Sequence, residues 1–80
     1  MDVVGTTDLQ AVFGEVIREL RLQVGLTQEA LSLICGRHRT YVSLIERGKN
    51  APSITTLWML AEALKVQPSE VIRRVEVRLE

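Results

Sequence analysis

The sequence has one cysteine and one histidine in 80 residues, and each scarcity removes a class of chemistry. Cys35 alone cannot close an intramolecular disulfide or complete a cysteine-based zinc site. His38 has no second ligand and no nucleophile beside it, so no metal, no cofactor and no enzyme activity is expected. Net charge is missing as well. Ten basic side chains stand against ten acidic ones, which excludes a generally sticky polycation, so any anion-binding face must come from segregated charge. Hydrophobic runs stay well short of the ~18 residues of a membrane span. The first ten residues carry Asp2 and Asp8 with no basic residue, unlike a secretory signal. A cytoplasmic protein without membrane contact is expected.

Internal repeats, low-complexity tracts and linkers are also absent, so one small domain spanning 1–80 is expected. Apolar residues make up 46% and charged residues 25%, a globular balance. Without a disulfide or a metal, a core this small depends on helix packing or on dimerisation.

The residues that are present alternate with a helical period. Leu9, Val12, Phe13, Val16, Ile17 and Leu20 follow i, i+3, i+4, i+7 spacing, predicting a helix over about Asp8 to Val24, with Thr7 and Gln10 spaced as a capping box and Gly25 as its stop. Thr27 caps a second helix, Gln28 to Cys35, ending at Gly36. A third fits His38 to Arg47, with Tyr41, Val42 and Ile45 toward the core and Gly48 as its stop. Ser53 caps a fourth, striped by Ile54, Leu57, Leu60, Ala61 and Leu64, and Pro68 suits the first turn of a fifth. In the tail, Val71, Ile72, Val75 and Leu79 match a helix, while Val75, Val77 and Leu79 also alternate with charged neighbours as a strand would. Helix is expected to about Arg74 only. The fold class is all-α, five helical segments in one compact bundle.

Gly25-Leu26-Thr27-Gln28-Glu29-Ala30-Leu31, then Gly36, then Arg39 through Lys49, read as two short helices across a tight glycine turn. This resembles the Cro/lambda-repressor-like (XRE-type) helix-turn-helix family over roughly Phe13 to Ile72. The string Ile45-Glu46-Arg47-Gly48-Lys49 followed by Pro52-Ser53 is the specific part of the likeness. The run His38-Arg39-Thr40-Tyr41-Val42-Ser43 is further similar to the recognition helix of restriction-modification controller proteins. The resemblance implies a five-helix lambda-repressor-like DNA-binding domain. Its helix-turn-helix covers 27–47, a flexible N-terminal arm covers 1–7, and a C-terminal dimerisation segment covers 68–80.

A helix of about 10–12 Å diameter fits the DNA major groove, where side chains of its first turns reach base edges. His38, Arg39, Thr40 and Ser43 are the expected base readers, with Arg39 suited to paired bonds on guanine O6 and N7. His38 serves equally well as a solvated helix cap. Gln28, at the start of the second helix, stands where the family places a phosphate contact, and Arg47, Lys49 and Asn50 stand where members grip the flanking backbone. Arg37 replaces the apolar residue usual after the turn glycine, so its stem can cover the core while its head reaches for phosphate. Between Arg37 and Lys49, four basic residues face one acidic residue, a local net of +3 on a neutral chain. That is the segregation a DNA-binding surface needs.

Other residues read as structural. The resemblance implies that Arg21 and Glu46 pair across the core edge. Cys35 suits an inner helix face. Lys65 stands where many members carry glycine, which implies backbone strain or a different helix end. Trp58, Met59, Val71, Ile72, Val75 and Leu79 amount to more apolar surface than so small a domain covers, and are expected to form a homodimer interface; the alternative for Trp58 is a place in the monomer core. The function these residues imply is a homodimeric transcriptional regulator on a double-stranded DNA operator, with no small-molecule ligand. The alternative is a protein-interaction module such as an antitoxin.

Overall fold

The computed structural model describes the backbone of residues 6–80 and the side chains from Asp8 onward. Five helices follow one another within it: α1 (Thr6–Val24), α2 (Gln28–Ile34), α3 (Tyr41–Glu46), α4 (Ile54–Ala63) and α5 (Pro68–Leu79). Helix α1 is the spine, packed on α3 and α5, while α2 bridges α3 and α4 and α4 leans on α5. Val16, Ile17, Leu31, Ile45, Leu60 and Val71 lie fully inside. Apolar burial at these positions is the main source of stability. Among the described residues no helix is long and apolar enough to cross a membrane.

Helix ends follow local chemistry. Thr27 Oγ1 accepts from the Ala30 amide at 3.0 Å and Ser53 Oγ from the Thr56 amide at 3.1 Å, each satisfying an amide that the helix leaves unpaired. At the C-terminal ends one closing bond recurs: the amides of Leu26, Arg37, Lys49 and Val66 donate back to the carbonyls of Arg21, Ser32, Leu44 and Ala61. This closure requires a left-handed residue just before the donor. Glycine supplies it after α2, at Gly36 (φ 67°), whereas after α4 the position is held by Lys65 at φ 62°. Lys65 is the one non-glycine residue with positive φ among those described, so the expected strain is present and the helix end is not displaced.

Several boundaries differ from the sequence expectation. Helix α1 begins at Thr6, so Thr7 lies inside the first turn and not at a cap. The expected arm over 1–7 otherwise falls outside the described residues. Leu9 and Ile54, counted on buried stripes, are 43% and 73% exposed, because both line an open apolar groove with Phe13, Leu57 and Ile72 that nothing among the described residues fills. Helix α2 stops one residue early, with Cys35 as its cap.

The largest departure is α5, which continues past Arg74 to Leu79. Val71 and Val75 sit four residues apart on the face against α1 and are buried, with Leu79 packed at the edge of the same core. Ion pairs reinforce that orientation. Glu70 accepts from Arg73 and Arg74 at 2.9–3.0 Å, and these two guanidinium groups hold its carboxyl down at about 2. Glu19 of α1 pairs with Arg78, and with Arg74 at 3.6 Å; the Arg78 bond lowers its pKa. Among the described residues there is no strand edge to join, whereas a helix satisfies its own backbone and presents one apolar stripe.

Candidate nucleic-acid interface

The candidate interface is the α2–turn–α3 unit, which a buried serine ties together. Ser32 Oγ donates to the Gln28 carbonyl at 2.8 Å and accepts from the Val42 amide at 2.9 Å. It is fully buried, so its hydroxyl bonds α2 directly to α3 in a region without competing water. Sequence reasoning passed over Ser32. A small polar residue on a stripe between Leu31 and Cys35 was the available signal.

Helix α3 starts at Tyr41, three residues later than expected, because a turn precedes it. The Tyr41 amide donates to the His38 carbonyl at 2.9 Å, and the first helical bond runs from the Leu44 amide to Thr40. His38, Arg39 and Thr40 therefore form the exposed leading end of α3 and not its first turn. His38 Nδ1 accepts from the Thr40 amide at 3.3 Å and lies 2.9 Å from the Thr40 hydroxyl. The imidazole thus braces the turn, and Nε2 is the ring nitrogen left to face outward chemistry. Arg39 is exposed, and Ser43 lies half-buried one turn along α3.

The expected phosphate-binding residues are not equally placed. Lys49 is exposed, as is Asn50, whose side-chain oxygen accepts from the Ala51 amide. Arg47 caps α3 and its Nε donates to the Ser43 carbonyl at 3.3 Å. Gln28 spends one amide hydrogen on Glu46 Oε1 at 2.9 Å, which leaves it a single N–H for an outside acceptor. Arg37 departs most. Its head does not project freely: Nη2 donates to Thr56 Oγ1 of α4 at 3.0 Å, and its guanidinium carbon stands 4.8 Å from the centre of the Tyr41 ring.

Electrostatically, the basic segment 37–49 contains one carboxylate, Glu46, and it is neutralised from within. Arg21 Nε and Nη2 donate to its two oxygens at 2.6 and 3.1 Å, and Arg21 Nη1 donates to the Leu26 carbonyl at 2.8 Å. With that charge paired, Arg39, Arg47 and Lys49 are exposed and the segment 37–49 holds no second carboxylate, although Asp8 and Glu15 of α1 line the same cavity as Arg47. On the inner side of α2, Cys35 is buried, and burial pushes its thiol up, with Arg37 opposing weakly. A thiol in such a site is inert.

Two of the expected dimer residues are corrected. Val71 and Val75 are 0% and 4% exposed, so they belong to the monomer core, where α5 packs on α1. Leu79 is half-buried against the same core. Trp58, Met59 and Ile72 are open to solvent, at 58%, 39% and 43%. Ile54, which the sequence assigned to the core, joins Trp58 and Ile72 along the groove between α4 and α5.

An exposed, locally basic helix end presented by two helices across a glycine turn defines the class of helix-turn-helix DNA-binding proteins. The sequence profile of the helix-turn-helix family matches residues 17–71, and the chain belongs to that family. It is 37% identical over 68 residues to the control protein C.BamHI of Bacillus amyloliquefaciens, covering 84% of each chain. It is 34% identical over 67 residues to the control protein C.SmaI of Serratia marcescens, covering 84% of this chain and 80% of that one. Its fold superposes on the restriction-modification controller protein C.AhdI from Aeromonas hydrophila with a TM-score of 0.73. The sequence identity there is 42%, over 80% of this chain and 96% of that one.

Proposed function

We propose that the chain is a sequence-specific transcriptional regulator that binds double-stranded DNA as a homodimer, in the manner of a controller protein. The observation that carries this assignment is Arg39, exposed at the leading end of α3 in a basic segment whose carboxylate is already paired to Arg21. Arg39 donates two parallel bonds to a guanine, with Thr40, Ser43 and the outward edge of His38 reading neighbouring positions. Lys49, Arg47, Asn50 and the remaining N–H of Gln28 hold the phosphate backbone and set the docking register. A second copy of the chain covers Trp58, Met59, Ile72 and Ile54. Two-fold pairing there sets the recognition helices about 34–36 Å apart, one DNA turn, and demands a palindromic site.

Selection of bound sites from a random duplex pool tests this directly. A two-fold symmetric motif with a preferred guanine in each half-site is expected. Recovery of no motif would overturn the function, and an asymmetric motif would overturn the homodimer.

A further inference from the structure

Arg37 sits at the junction of three elements, immediately after the turn glycine and two residues before Arg39. The turn around it is bonded to α2 through the Gly36 and Arg37 amides and to α3 through the Tyr41 amide. A bond from this turn to α4 is made by the Arg37 guanidinium, which donates to Thr56 Oγ1. Thr56 is a fixed acceptor. It is 3% exposed, its hydroxyl also accepts from Ser53 Oγ at 3.0 Å, and its amide donates to the same Ser53 oxygen. On its other side the guanidinium stacks over Tyr41, the buried first residue of α3. Arg37 is exposed while Tyr41 is buried, and cation and ring attract through the ring quadrupole.

We propose that Arg37 is a positioning residue for base reading: by clasping Thr56 and Tyr41 it fixes the leading end of α3, and so Arg39, against the body of the domain. The proposal rests on the DNA-binding function above. Paired bonds from an arginine to a guanine tolerate misplacement of only about half an ångström. His38 and Arg39 precede the regular helix, tied to it by the Tyr41 amide on the His38 carbonyl, and the side chain of Arg39 has no hydrogen-bond partner among the described residues. A planar guanidinium suits the clasp because one face stacks on the ring while an edge N–H reaches the hydroxyl, a combination that lysine lacks. This role differs from direct phosphate binding, in which Arg37 would let go of Thr56 and reach outward.

The test uses the full chain and its selected duplex. Affinity for that duplex and for a scrambled one is measured across a salt series, with melting temperature recorded for each variant. Arg37→Ala, Arg37→Lys and Thr56→Val are each expected to lower the ratio of specific to non-specific affinity by about tenfold, mainly at the base pair read by Arg39. The double variant of Arg37→Ala with Thr56→Val is expected to be no worse than either single one. Thr56→Ser, which keeps the hydroxyl, is expected to restore the ratio, and Thr56→Val is expected to leave the salt slope at the parent value. Should Arg37→Ala fail to fold, Arg37→Lys and the Thr56 pair give the same comparison. If Arg37→Ala flattens the salt slope by about one unit while Thr56→Val keeps a normal ratio, Arg37 is a phosphate ligand and the proposal is wrong. If melting falls and every ratio is unchanged, the clasp serves stability alone and the proposal is equally wrong. A parent chain that selects no motif would defeat the DNA-reading function itself, a result distinct from either of these.

Discussion

Gly14 brings α1 so close to the end of α3 that a Cβ built on it would lie 2.3 Å from the carbonyl oxygen of Ile45. Backbone cannot yield as a flexible side chain does, so the missing side chain is what lets the two helices touch. Helix propensity favours alanine over glycine by about 1 kcal/mol, and the close approach opposes it. Gly14→Ala is expected to destabilise the domain by about 1–3 kcal/mol, read as a lower urea midpoint. A stabilised variant would show that α1 and α3 have slack between them.

Arg21 and Glu46 form the second inter-helix tie, and their side chains are 10% and 4% exposed. Removing one partner strands the other charge in a dry site, so Arg21→Ala or Glu46→Ala is expected to cost about 3–5 kcal/mol. A double-mutant cycle is expected to return a clear coupling energy, and additive losses would contradict the pairing. Glu46→Gln is expected to be milder, because its amide still accepts one bond.

Lys65 holds a left-handed backbone where its Cβ crowds the following carbonyl, at a cost of about 1–2 kcal/mol. Glycine removes the strain but loses more chain entropy on folding. Lys65→Gly is therefore expected to raise stability by about 0.5–1 kcal/mol in denaturant melts, with DNA affinity unchanged.

Base reading and general affinity are expected to separate by residue. Arg39→Ala should cost about 1–3 kcal/mol at one base pair and relax the preference there. Lys49→Ala should weaken all duplexes alike and flatten the salt slope by about one unit. Gel-shift titrations on the selected site and its single-base variants measure both, and an unchanged motif after Arg39→Ala would mean a different docking register.

The dimer prediction follows the exposed residues and not the buried ones. Trp58→Ala combined with Ile72→Asp is expected to give a folded monomer with weak operator binding, seen by sedimentation and helical dichroism. Val75→Asp is expected to unfold the domain, since Val75 lies in the core between α5 and α1. A double variant that stays dimeric would put the interface elsewhere.

The order of the five helices, their stop signals at Gly25, Gly36 and Gly48, and the basic run that carries Arg39 were legible in the sequence. Each depends on residues a few positions apart, which interact before any tertiary contact exists. The tertiary structure decided the rest. The tail alternates in a way that suits helix or strand, and only the α1 surface, meeting Val71 and Val75 on one face and Arg78 at Glu19, selects the helix as far as Leu79. The late start of α3 was hidden because His38 and Thr40 close a turn through side chains whose geometry no periodicity records. Arg37 remains exposed, yet its head is held on the domain because Thr56, 19 residues away in sequence, presents a buried hydroxyl at the start of α4. Local spacing determines which elements form and where they stop. Which apolar residues are buried, and which charged heads face solvent, depends on neighbours that meet only when the chain has packed.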